Sequence, residues 1–365
     1  MTIVIFVIVL ALLILVHEAG HFFVAKWTGM RVDEFGLGFP PRAASYQPED
    51  SETTYTLNWL PFGGFVKIFG EDLENIDEDH PDKDRSFAEQ STSSQVAVLV
   101  AGVVMNMILA YVLLSLAFMT GKAVVDEEGT KNLTDRRVVI TQVLPDSPAE
   151  TAGLNPGSRI NEITSGQTVL SGSEITLDSI QQLVNQATSA PVTVSTQNGS
   201  DQMTATITPT STESGDRQIG IAMAQVGTQT LGPLGALKEG AVATYNLTHQ
   251  IVVGSYNLIG KAVTGAGGLS QVAGPVGIAD LVGDAADRGA APLFSFVALI
   301  SINLAILNLL PFPALDGGRI VFSLVEYARG KPLPPKFAKW ANGIGLALLL
   351  LLMLVVTYQD ILRLF

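Results

Sequence analysis

The sequence predicts a membrane protein: four transmembrane α-helices, a membrane-associated β-hairpin region and an inserted α+β domain. Three observations lead there. Long apolar stretches recur towards both ends of the 365-residue chain, whose mean hydropathy is positive. Its middle is instead rich in Ser, Thr, Gly and Asp and alternates like a sheet. Between the first two apolar stretches lie short aromatic and β-branched runs cut by glycine and proline, the pattern of hairpins.

The first element, Ile3 to Ala25, has the length of a membrane helix, roughly 35 Å at the usual rise. Within it stand His17-Glu18-Ala19-Gly20-His21. Helical residues four apart share a face, so His17 and His21 are placed to bind one Zn²⁺, and Glu18 beside them to reach a water on the metal. The alternative is three polar groups satisfied inside a helix bundle. Ionisable side chains within spans are costly and usually functional, which favours the metal. No basic residue precedes the stretch and no small-residue cleavage pattern precedes the histidines, so it reads as a retained span.

Arg31 to Lys67 follows as hairpins, since its aromatic and β-branched content is high for a plain linker. A strand edge there, around Gly63, Gly64 and Phe65, would offer hydrogen bonds to an extended peptide. The acidic run Glu71 to Asp84 matches no calcium loop and reads as solvated surface. Val96 to Met119 is the second span. Thr120 to Leu231 then alternates at Val138 to Val143, Arg159 to Thr164, Pro191 to Thr196 and Gln202 to Thr208, with Asn198-Gly199 as a hairpin turn and a helical stripe from Leu177 to Ala187. Ala241 to Val263 suits a helix lying on the membrane or against the bundle, and Gly265 to Gly268 and Gly274-Pro275 read as loops. His249 has no companion at ligand spacing and reads as structural. Pro292 to Leu310 and Gly343 to Tyr358 complete the spans. The domains expected are 1–120 (two spans and hairpins), 125–225 (the inserted domain), 231–289 (membrane-associated helix and loop) and 290–365 (two spans).

The net charge of −13 argues against nucleic acid as a partner, and the absence of cysteine removes disulfides and thiolate ligands. Zinc would have to be held by His and carboxylate. Catalytic zinc usually takes three protein ligands, and the third is expected at Asp316, where Pro311 and Pro313 interrupt a span in Asn308-Leu309-Leu310-Pro311-Phe312-Pro313-Ala314-Leu315-Asp316-Gly317-Gly318. The alternative role for Asp316 is a helix cap. Arg319, Arg329, Lys331, Lys336 and Lys339 place the 311–341 loop in the cytoplasm, with the hairpin region beside it and the N-terminus and the 125–225 domain outside.

The chain resembles the site-2 proteases, intramembrane zinc metalloproteases, through His17 to His21 together with Asn308 to Gly317, and within them it is similar to the bacterial RseP-like branch. Glu34 to Pro41, Leu60 to Lys67, Gly102 to Asn106 and Gly274 to Ile278 resemble further segments of that family. The inserted domain looks like a single PDZ domain of the circularly permuted bacterial type. Val103 stands where the family commonly has proline. The resemblance implies a zinc metalloendopeptidase of the inner (plasma) membrane, with His17, His21 and Asp316 as ligands, Glu18 as general base, and Asn106 and Asn308 positioning substrate. It implies substrates that are single-span membrane proteins already shortened by another protease, such as anti-sigma factors, and remnant signal peptides. A non-proteolytic scaffold presenting the PDZ-like domain is the other class to weigh, yet it would not need Glu18. Zinc transport would want acidic or His residues through several spans, and the second and fourth stretches have none.

Overall fold

Each of the four apolar stretches is a helix long and apolar enough to cross a membrane: Thr2–Trp27, Thr92–Thr120, Ala290–Leu309 and Pro335–Leu362. The computed structural model describes residues 1–71, 80–126, 133–187, 190–199, 201–211, 216–264 and 273–363. In chain order its elements begin with α1 (Thr2–Trp27), β1 (Val32–Tyr46), β2 (Thr54–Ile68), α2 (Thr92–Thr120), β3 (Lys122–Val125), β4 (Leu133–Val143) and α3 (Pro148–Thr151). There follow β5 (Arg159–Ser165), β6 (Thr168–Ser171), α4 (Leu177–Gln186), β7 (Val192–Asn198), β8 (Asp201–Ile207), β9 (Thr210–Ser211), β10 (Arg217–Gln218) and β11 (Ile221–Gln229). The chain ends in α5 (Pro233–Val263), α6 (Pro275–Asp287), α7 (Ala290–Leu309), α8 (Asp316–Arg329) and α9 (Pro335–Arg363). Two units result: Met1–Leu116 with Ala236–Gly289 and Leu293–Phe365, and Ala117–Gly235 with Ala290–Pro292.

In the first unit, α1, α2 and α7 meet around Val9, Leu13, Leu114, Val297 and Ile302. The helix α9 starts well before the expected Gly343. Lys336 and Lys339 lower the local hydropathy without breaking a helix, because lysine is a good helix former whose stem lies along apolar surface. The helix α5 starts at Pro233, a favoured first position, and lays Ala243, Leu247 and Ile251 against the same core while Tyr245 and Tyr256 stay exposed. Gly274-Pro275 is no loop: Pro275 opens α6, with Gly274 as its N-cap. The carboxylate of Asp360 on α9 accepts from the backbone N–H groups of Gly274 at 3.1 Å and Gly277 at 2.9 Å, satisfying donors that the helix start leaves open. Gly265 to Gly268 lie outside the described residues, as does most of the acidic run.

The hairpin region is more folded than a simple hairpin. Glu34–Leu37 of β1 stands between two stretches of β2, with Leu37 paired to Gly64 on one side and to Leu57 on the other, while Tyr46 returns to pair with Tyr55. Ile68, Val32 and Phe87 then share a small core with Ala25 of α1 and Val98 and Leu99 of α2. Around the foot of α1, Glu52 binds Arg85 and Lys26. Arg85, with help from Lys26 and against partial burial, holds the Glu52 carboxyl down at about 2.

The second unit is a mixed α+β body with the strand order β3-β11-β4-β5-β7-β8 and β6 on β5. The apolar stripe of α4, Ile180, Leu183 and Val184, packs on Ile160, Ile163, Val192 and Val194. Thr176 and Ser179 form a reciprocal capping box at its start. The expected hairpin is present: Asn198 pairs with Asp201 across Gly199, whose φ is +61°.

Candidate metal centre

The helical spacing puts the His17 and His21 rings on one face of α1, with centroids 4.8 Å apart. The second span can come this close only because both helices carry glycine at the crossing. A Cβ on Gly20 would overlap the Ala101 carbonyl, and one on Gly102 would stand 2.5 Å from His21 Nε2 and 2.7 Å from His17 Cε1. From the other side, α7 ends, the chain turns through Pro311 and Pro313, and Asp316 opens α8. Leu315 is the N-cap and makes no side-chain cap hydrogen bond. The Asp316 carboxylate faces the histidines instead: its Oδ2 lies 3.1 Å from His17 Nε2 and 3.4 Å from His21 Nε2, and the two Nε2 atoms are 3.1 Å apart. Among the described residues this is the group with the spacing of a metal site, and exposed His249 is not in it.

The donor set fits zinc: two imidazoles and a carboxylate, with a coordination position left over for a reacting molecule. The groups behind the rings fit too. The Val98 carbonyl accepts from His21 Nδ1 at 2.8 Å, which leaves the Nε2 lone pair for a metal. Fully buried Asn106 places its amide 3.2 Å from His17 Nδ1, and its Oδ1 has no partner among the described residues. Exchanging the amide's two ends satisfies that oxygen with the Nδ1–H that a zinc-ligating His17 carries.

Ala314, two residues before Asp316, has φ +73°, and its N–H is held by Asn342 Oδ1 of α9 at 3.1 Å. A left-handed alanine costs about 1–2 kcal/mol, so Ala314→Gly is expected to be neutral or to stabilise by up to about 1 kcal/mol after the entropy cost of glycine. Thermal unfolding in detergent checks this, and a clear loss of stability would show that the loop is unstrained.

A cavity of about 460 Å³ opens beside the three donors, and Glu18 lines it. The end of β2 forms its wall through Gly64 to Ile68, and a Cβ on Gly64 would come 2.6 Å from Ile14 and 3.2 Å from the Glu18 side chain. Bare backbone is what lets this strand approach the helix. Of the residues expected to meet substrate, Gly64 and Phe65 are on the wall and Gly63 is not. Asn308 Nδ2 stands 3.3 Å from His17 Nε2, whereas Asn106 is enclosed behind that ring. Two more wall residues were not expected at the site: Glu71, which the sequence places at the start of a solvated acidic run, is instead largely buried here, and Arg319, read only as a charge that sets the topology, lines the cavity with it. For Arg319 there was a signal, its helical i, i+3 relation to Asp316; for Glu71 there was only its place at the end of a predicted strand.

Helices apolar enough to span a membrane, meeting at an open His/His/Asp set with a glutamate alongside, define the class: a zinc metallopeptidase of the membrane. Residues 5–352 match the model of peptidase family M50. The chain is 38% identical to a protein named as a zinc metalloprotease from Clostridium perfringens, covering 96% of this chain and 95% of the relative. It is also 38% identical to one from Synechocystis, covering 98% and 93%. It is 29% identical to the regulator of sigma-W protease RasP of Bacillus subtilis, covering 100% and 99%. The chain therefore belongs to peptidase family M50, the site-2 proteases, and is an intramembrane zinc metalloprotease.

Proposed function

We propose that His17, His21 and Asp316 hold the catalytic zinc, that Glu18 is the general base, and that the substrates are single-span membrane proteins already shortened by another protease. The observation that carries this is the convergence of the three donor atoms in one cavity with Glu18 and a strand edge. When bound, zinc supplies Lewis-acid activation of water and of the scissile carbonyl. The Glu18 carboxylate takes the water's proton and later delivers it to the departing amine nitrogen. The Asn308 amide donates towards the carbonyl oxygen as negative charge builds there. A helical substrate hides its backbone groups in internal bonds and must unwind first. The edge Gly64–Lys67 replaces those lost bonds by strand pairing. Asn106 acts from behind, on His17.

Anti-sigma-factor-type substrates are supported by the sigma-W regulator among the relatives. The second unit is assigned a PDZ-like role in screening substrates by the bulk left outside, with the basic α8–α9 segment cytoplasmic in the plasma membrane. Detergent-purified protein is expected to cleave a single-span substrate within its span, to stop with a zinc chelator and to resume with zinc. Asp316→Asn is expected to lose zinc affinity by at least about tenfold. Cleavage indifferent to the chelator, or wild-type affinity in the Asn variant, which would cap as well as Asp, would sink the assignment.

A further inference from the structure

We propose that Glu71 and Arg319 form a latch that fixes the substrate-accepting strand edge against the helix bearing Asp316, making both of them positioning residues for the reaction. The inference rests on the strand-edge reading above. It starts at the end of β2, where Gly70 has φ +72° and the chain turns back. The Glu71 N–H donates to the Ile68 carbonyl at 3.2 Å, and the Ile68 N–H donates to Glu71 Oε2 at 3.3 Å. Glu71 thus holds the last residue of the strand with both its backbone and its side chain. Its other carboxylate oxygen, Oε1, accepts from Arg319 Nη1.

Arg319 lies one turn beyond Asp316 on α8, and its guanidinium is over the Phe87 ring, 5.7 Å from the centroid and within the reach of about 6 Å at which a cation is attracted to a ring face. The side chains of Glu71 and Arg319 are 14% and 29% exposed, enough burial to resist screening by salt. Beneath the pair, Ile320 packs against the core that contains Ile68 and Phe87. One ion pair therefore joins the strand edge directly to the helix that starts with a metal donor, and both partners line the cavity. Neither is among the three metal donors, and neither is the base. The strand keeps its pairing to β1 without them, and the donor set keeps its histidines. What they fix is the distance between the peptide being held and the atoms that cut it. An error of about 1 Å in such a distance costs up to about 100-fold.

The test uses the full-length protein in detergent. Glu71→Gln and Arg319→Gln are expected to lower kcat/KM by about 10- to 100-fold, mainly through kcat, with zinc content unchanged. The double variant should be no worse than either single one, and Arg319→Lys should recover most of the loss. Unchanged kcat, additive losses or loss of zinc would overturn the latch. The chain has no cysteine, so Val66→Cys on the strand, with Glu18→Gln to halt turnover, reports on contact with a substrate carrying one cysteine in its span. Disulfide formation that falls in the Glu71→Gln background supports the latch. Equal yield with and without Glu71 overturns it. No disulfide even with the pair intact means that the strand-edge reading itself has failed.

Discussion

Glu18→Gln is expected to lower cleavage between about 100-fold and 10,000-fold, the usual weight of a general base, while zinc content stays at the wild-type level. The amide is nearly the same size as the carboxylate but cannot take up the water's proton. Glu18 is not among the three donors that converge, so the metal should be indifferent to the change. Metal content and turnover must be measured on one preparation. Retained turnover would remove Glu18 from the mechanism, and lost zinc would make it a ligand.

Gly102→Ala should be nearly as severe by a different route. One methyl group, ordinarily harmless and even helix-favouring, would be placed 2.5 Å from His21 Nε2 and 2.8 Å from its Cε1. Neither ring has room to yield. His21 is tied to the Val98 carbonyl on the same helix as Gly102, and His17 is backed by Asn106. The rings would be forced apart or the two helices separated, an overpacking cost of about 1–3 kcal/mol. Zinc affinity is expected to fall at least about tenfold with helical content intact. Titration with a competing chelator, beside circular dichroism, makes the check, and wild-type affinity would show that the crossing relaxes more easily than its geometry suggests.

Much of this protein was legible in one dimension. The spans were readable because lipid demands about twenty apolar residues in a row, a constraint strong enough to show through in composition. The histidine pair was readable because a helix turns fixed spacing into a shared face. The sheet unit was readable from alternation and from Asn198-Gly199. Element ends were read less well. Gly274-Pro275 reads as a loop from composition because the same pair serves turns and helix starts, with glycine an allowed N-cap and proline a favoured first residue, and the Asp360 carboxylate that secures the start lies far along the chain.

By itself, then, the sequence pointed to a membrane metallopeptidase and to His17, His21 and Asp316 as its expected metal donors with Glu18 beside them, because those rest on local period and residue chemistry. Only the tertiary structure decided that the Asp316 carboxylate turns to the histidines instead of capping α8, and that Asn106 stands behind His17. It alone placed the Glu71–Arg319 pair on the cavity wall, and it alone showed Gly102 as the gap into which the imidazoles fit. These are contacts between residues that the chain separates widely. Their existence depends on how closely backbones approach and which way side chains turn when the helices and the strand edge pack, and neither quantity is written in the spacing of any one segment.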